Sequence, residues 1–124
     1  MTQTDYTGAN LLPESSWREL FMLLLRRRRR LKVVGKSMLP LLDPGDEILI
    51  DISAYSQSSP KVNDLVVITH PLQADLTLVK RITAIDHSHS YFVTGDNPEA
   101  STDSRHWGNI KLNNIIGKVT SKFN

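Results

Sequence analysis

Leu76-Thr77-Leu78-Val79-Lys80-Arg81-Ile82-Thr83-Ala84-Ile85 has the period-two texture of a β-strand. Successive side chains of a strand point to opposite faces. Leu76, Leu78, Lys80, Ile82 and Ala84 therefore form one set, and Thr77, Val79, Arg81 and Thr83 the other. Lys80 falls on the apolar face, and Arg81 points the opposite way. Burial among leucine and isoleucine disfavours an ammonium and lowers its pKa from about 10.4. Shifts of several units turn such an amine into a general base near neutral pH. The same strand also fits a lysine with a buried stem and a head in water, and periodicity leaves both readings open.

On either side of this strand the chain keeps the same texture. Further strands are predicted over Leu31 to Val34, Glu47 to Asp51, Leu65 to Thr69, Tyr91 to Thr94 and Ile115 to Thr120. Pro44-Gly45-Asp46 separates two of them as a tight turn, and Asn63-Asp64 and Asp86-His87-Ser88 are further turn candidates. Before Leu31 the pattern is helical. Ser16 and Glu19 have capping-box spacing, and Trp17, Leu20, Phe21 and Leu24 fall on one apolar stripe. The expected organisation is a flexible tail over 1–12, an amphipathic helix over 13–30 ending in an arginine run, and one mainly β domain over 31–124. The stripe is expected to pack on the domain's own core, with an interfacial helix as the alternative.

At 124 residues the chain suits one domain with one modest core. It has no cysteine, which excludes disulfides, thiolate metal sites and a cysteine nucleophile. The net charge of +2 is unevenly spread, because Arg26, Arg27, Arg28, Arg29 and Arg30 are consecutive. That run is either a solvated cluster at a helix end or a contact for an anionic surface. The apolar run Leu20 to Leu25 is far short of the about 20 residues that a membrane span needs. A cytoplasmic protein is expected, with peripheral membrane contact as a variant of that reading.

Two more segments carry chemistry. Val34-Gly35-Lys36-Ser37-Met38-Leu39-Pro40 offers a serine beside a glycine that lets backbone approach a ligand, with a proline stiffening the segment beyond. A serine hydroxyl needs a nearby base to act as a nucleophile, and its backbone N–H can help to stabilise an oxyanion. Gly95-Asp96-Asn97-Pro98 reads as a turn leading into Ser101, Asp103 and Arg105. Ser101 can hold a neutral lysine amine by donating or accepting a hydrogen bond, and Asp103 and Arg105 can pair.

Together the three segments resemble the signal peptidase I (S26) family of serine proteases, which use a Ser–Lys dyad. The resemblance runs through Gly35-Lys36-Ser37-Met38-Leu39-Pro40 and Asp43-Pro44-Gly45-Asp46, then Val79-Lys80-Arg81. It continues through Gly95-Asp96-Asn97, Ser101, Asp103, Ser104, Arg105, Trp107 and Gly108. It implies a coiled β-sheet or half-barrel and a serine endopeptidase without cofactor or metal. Ser37 would be the nucleophile, Lys80 the base and Ser101 the group that orients it. Gly35 and Met38 belong to the nucleophile box, and Asp103 and Arg105 form a structural pair. Some members carry an oxyanion-hole serine where this chain has Gly35, which implies backbone donors here. The short Arg81–Thr94 connection and the lack of an anchor are similar to the nickel-type superoxide dismutase maturation proteases. A precursor protein, the nickel superoxide dismutase proenzyme first, is then the expected partner, cut to remove an N-terminal extension.

Other readings compete. A signal-peptidase-like enzyme, soluble or at a membrane surface, would act on another precursor. A self-cleaving regulator with the same dyad would need a helix-turn-helix, and only one helix fits before Leu31. A non-enzymatic basic domain would bind nucleic acid through the arginine run, but the few scattered aromatics make specific nucleic-acid binding unexpected. His87 and His89 alternate near a turn, with His70 and His106 elsewhere. Two histidines without a third ligand predict no metal site.

Overall fold

The computed structural model describes residues 16–24 and 28–123. The tail over 1–12, the start of the expected helix, and Arg26 and Arg27 lie outside the described residues. Helix α1 spans Trp17–Leu24 and is followed by strands β1 (Arg28–Lys32), β2 (Glu47–Asp51), β3 (Leu65–His70), β4 (Gln73–Ile85) and β5 (Ser90–Thr94). A single helical turn, α2 (Ser104–Trp107), precedes β6 (Ile110–Lys111) and β7 (Ile115–Phe123). The fold is mainly β. All seven strands form one open antiparallel sheet in the order β1-β2-β7-β3-β4-β5-β6.

The middle of this sheet is apolar on both sides, which places the core. Leu65 and Val67 of β3 join a cluster with Met38, Leu42, Ile48 and Ile50, while Val66 and Ile68 face a second cluster with Ile82, Tyr91 and Val93. Alternation along β3 thus serves two apolar layers rather than one layer and solvent. Strand β4 crosses between the same two layers: Val79 packs on the first, Leu78 and Ile82 on the second. The face assignment made from sequence holds locally, yet Lys80, Arg81 and Ile82 are all buried and Leu76 and Ala84 are exposed. A register shift between Ile82 and Ala84 marks a bulge in the β4–β5 pairing.

The β4–β5 connection is a tight turn organised by one carboxylate. Asp86 accepts from the backbone N–H and the hydroxyl of both Ser88 and Ser90, at 2.7–3.1 Å. The Ser88 and Ser90 hydroxyls and N–H groups hold the Asp86 carboxyl well below its usual range.

Two expectations for the N-terminal segment are corrected. The described part of the arginine run does not end a helix: Arg28–Arg30 belong to edge strand β1, paired antiparallel with β2. Arg28 and Arg30, two residues apart, share a strand face and find carboxylates nearby. Arg28 pairs with Glu19 (3.2 Å) and Asp51 (3.3 Å), while Arg30 pairs with Glu47 and lies 4.5 Å over the Phe123 ring. Strand geometry supplies these partners and sends Leu31 against the core. Two of the described arginines are thereby engaged internally, which weakens the reading of this run as a polyanion site.

Helix α1 also turns the other way. Trp17 is 87% exposed, whereas Glu19 faces the body, accepting from Arg28 Nε and from Thr120 Oγ1 (2.6 Å). The charged network on β1 and β7 selects the polar face of the helix over the Trp17–Leu20 edge. No helix among the described residues is long and apolar enough to cross a membrane.

Candidate active site

Ser37 and Lys80 line one open cleft of about 370 Å³, although they lie on segments far apart in sequence. Ser37 begins a turn that the fold anchors from behind. Met38 beside it is buried in the first apolar cluster, and Leu42 N–H donates to Met38 O at 2.9 Å. Gly35 opens the loop with φ of +84°, a left-handed backbone that favours glycine.

The loop after β5 clamps this turn. Asn97 donates its backbone N–H to Ser37 O (2.8 Å) and its side-chain amide to Lys36 O (3.0 Å). Gly95 makes the approach feasible: a Cβ there would sit 2.7 Å from both Ser37 O and Ser101 Cβ. Neither Asn97 nor Gly95 was singled out for this contact from sequence. The Gly-Asp-Asn-Pro composition signals a turn but says nothing about what the turn touches.

Lys80 is 2% exposed. Burial lowers its pKa, with the Asp103 carboxylate opposing the shift and the Arg105 guanidinium adding to it. Its amine donates to Ser101 Oγ at 2.9 Å, and Ser101 Oγ donates in turn to Asp103 Oδ2 at 2.5 Å. The order of donation matters. A carboxylate only accepts, so Asp103 takes the single proton of the Ser101 hydroxyl. Ser101 is then left to accept from Lys80, and the lone pair of a neutral Lys80 amine remains unclaimed by it. Sequence reasoning had left both polarities open.

Asp103 is fully buried and saturated with donors. Besides Ser101 it accepts from Gly95 N–H (2.9 Å), from Arg105 N–H (3.1 Å) and from the Arg105 guanidinium at 2.6 and 2.9 Å. Burial alone would raise its pKa. The donors from Arg105, Ser101 and Gly95 outweigh that and hold it well below the carboxylate range. As N-cap of α2, Asp103 also fixes the helical turn, with its own N–H donating to His106 Nδ1 (3.2 Å).

Arg81, the next residue on β4, is also buried but differently partnered. It forms a two-pronged pair with Asp96, both contacts at 2.9 Å, and donates to Asn63 O at 3.1 Å. His70 ends β3 and lines the Ser37–Lys80 cleft, its ring 5.2 Å from that of Trp107. His87 and His89 lie in the exposed turn after β4, and His106 caps α2.

The family described as signal peptidase, peptidase S26, matches residues 20–86 and 87–123. The chain is similar to a signal peptidase I of Buchnera aphidicola subsp. Baizongia pistaciae (strain Bp), 34% identical over 63% of this chain and 27% of the relative. It is 26% identical to a probable thylakoidal processing peptidase 2, chloroplastic, of Arabidopsis thaliana, over 73% of this chain and 36% of that protein. A signal peptidase I of Bacillus caldolyticus is 53% identical over 26% of this chain and 18% of its own. The chain thus spans well under half the length of each of these relatives.

Proposed function

From the premise that the chain belongs to the signal peptidase family, peptidase S26, we propose that it is a serine endopeptidase working through a Ser37–Lys80 dyad. One observation carries this reading. The buried Lys80 amine lines the same cleft as Ser37 and is held by a hydroxyl instead of a carboxylate. An amine so placed is biased towards its neutral form, the form that accepts a proton.

In the proposed reaction Ser37 Oγ attacks the scissile carbonyl carbon while Lys80 Nζ takes the hydroxyl proton. The Ser37 backbone N–H is one donor to the developing oxyanion, and the turn held by Asn97 keeps it in place. As the tetrahedral intermediate collapses, the Lys80 ammonium returns its proton to the leaving amine, and an acyl ester on Ser37 remains. Water then attacks the ester with Lys80 again as base. Ser101 orients the amine and Asp103 fixes the direction of the Ser101 hydroxyl. Gly35 and Met38 shape and anchor the nucleophile turn, and Arg105 neutralises Asp103.

The proposed substrate is a precursor protein that loses an N-terminal extension. The nickel superoxide dismutase proenzyme is the one to test first, because a plain hairpin is all that joins the Lys80 strand to the Gly95 loop. The test is to mix the purified protein with that proenzyme and sequence the new N-terminus. Cleavage by wild type, and none by Ser37→Ala or Lys80→Ala, is the expected result. Cleavage of an exported precursor instead would keep the dyad and replace the substrate. No Ser37-dependent cleavage of any precursor would end the proteolytic reading.

A further inference from the structure

His70 has no role in the dyad, yet its setting is that of a built donor. The side chain is buried, with 7% of the residue exposed, and it lines the cleft that holds Ser37 and Lys80. Nδ1 accepts the Leu72 backbone N–H at 3.0 Å, so a neutral ring carries its proton on Nε2. Among the described residues Nε2 has no hydrogen-bond partner, and it is not among the side-chain atoms sealed from solvent. A donor that reaches solvent from a side chain this well packed can give its hydrogen bond to water or to a guest that displaces the water. Trp107 supports the ring from the side, and the Leu72 hydrogen bond fixes its tautomer.

The charges around it narrow the acceptor. Lys36, His70 and Lys80 line the cleft, and none of its described lining residues is a carboxylate. The half-buried Asp96 and the buried Asp103 are paired with Arg81 and Arg105. The Lys36 ammonium, with no carboxylate in the lining to offset it, favours an anionic guest, and a neutral N–H donating to a carboxylate makes a charge-assisted hydrogen bond.

We propose that His70 is a specificity-determining residue that donates Nε2–H to an aspartate or glutamate side chain of the substrate close to the scissile bond, with Lys36 adding a positive contact. The proposal deepens the proteolytic reading and rests on it for the position of the bond. In it, acidic residues are selected by a fixed N–H donor rather than by a salt bridge alone.

The experiment begins with a peptide library digested by wild-type protein and by Ser37→Ala, with cleavage sites read by mass spectrometry. Aspartate and glutamate should be enriched at one position within about three residues of the cut. A matched pair of peptides carrying Asp or Asn there should then differ about tenfold in kcat/KM, mostly through KM. His70→Ala should cleave the two at equal rates, and His70→Gln, which keeps an N–H donor, should recover part of the difference. A preference unchanged in His70→Ala, or no acidic enrichment, overturns the proposal. Should wild type cut nothing that Ser37→Ala leaves intact, the proteolytic reading falls separately. Fluorescence anisotropy then decides this one with Ser37→Ala protein. Tighter binding of the Asp peptide than of the Asn peptide, erased by His70→Ala, sustains it, and equal binding overturns it.

Discussion

Lys80 and Arg81 are neighbours on one strand, both cationic by type and both buried, and the fold treats them in opposite ways. On one side Arg81 meets the Asp96 carboxylate in a two-pronged pair and a backbone carbonyl as well. On the other Lys80 meets a serine hydroxyl whose proton already belongs to Asp103. The nearby carboxylate is thus offered to Lys80 only at second hand. Burial of a cation keeps its charge where a carboxylate compensates it and works against the charge where only a dipole does. Partner choice, not depth, separates the structural cation from the proposed base.

The largest expected effect breaks the comparison by making Lys80 resemble its neighbour. Lys80→Arg replaces a titratable amine with a guanidinium that stays protonated, and proteolysis should fall by about 10³-fold or more. Single-turnover assays on a cleaved precursor would measure it, and near-normal turnover would remove Lys80 from the mechanism. Stability should then separate the two residues by sign. Lys80→Met should raise stability at pH 7 by about 2 kcal/mol, since it removes a buried polar head, whereas Arg81→Met should lower it by about 2 kcal/mol by orphaning Asp96. Urea unfolding reads both, and a shared sign would dissolve the contrast.

The direction of titration sharpens the same point. Because the folded pKa of Lys80 is lowered, wild-type stability gains as pH rises from that value towards about 10.4, and the Lys80→Met advantage shrinks over the same window. Asp103 runs the other way. Its contribution is complete above about pH 3.9 and is lost as pH falls through its depressed folded value. In activity, kcat/KM should climb with pH through the Lys80 pKa. Ser101→Asp, which gives Lys80 a carboxylate as Arg81 has, should move that limb to higher pH. A limb that stays in place would mean that Lys80 does not set it. The smallest effect expected is from Asn97→Ala, about tenfold in kcat with little change in the pH limb, because it loosens the Ser37 turn without touching the base.

Much of this was legible in the sequence, but unevenly. Most strand positions followed from alternation bounded by Pro44-Gly45, Asn63-Asp64 and Asp86-His87-Ser88, and Glu47–Asp51 has the expected limits, but the strand expected over Leu31 to Val34 is instead Arg28–Lys32. Strand order was not legible, because β7 inserts between β2 and β3 through long-range pairing that no local pattern encodes. The helix misled for a related reason. The apolar stripe containing Trp17 has the right spacing for burial, but Glu19 found Arg28 and Thr120, and tertiary pairing decided which face turned inward. At the site, the residue types were visible and the hydrogen-bond directions were not. The direction of the Ser101 proton depends on Asp103, and the hold on Ser37 depends on Asn97, a residue 60 positions further along the chain.

The turn tied together by Asp86 has a consequence for how this architecture can grow. The family match breaks between residues 86 and 87, at the start of that turn. Four hydrogen bonds of 2.7–3.1 Å from Ser88 and Ser90 to one carboxylate close the loop locally, while the antiparallel pairing of β4 with β5 sets the register on either side. A segment spliced in there would replace the Asp86-held turn and lengthen an exposed hairpin end, leaving the β4–β5 ladder to carry Lys80 and lead to Gly95.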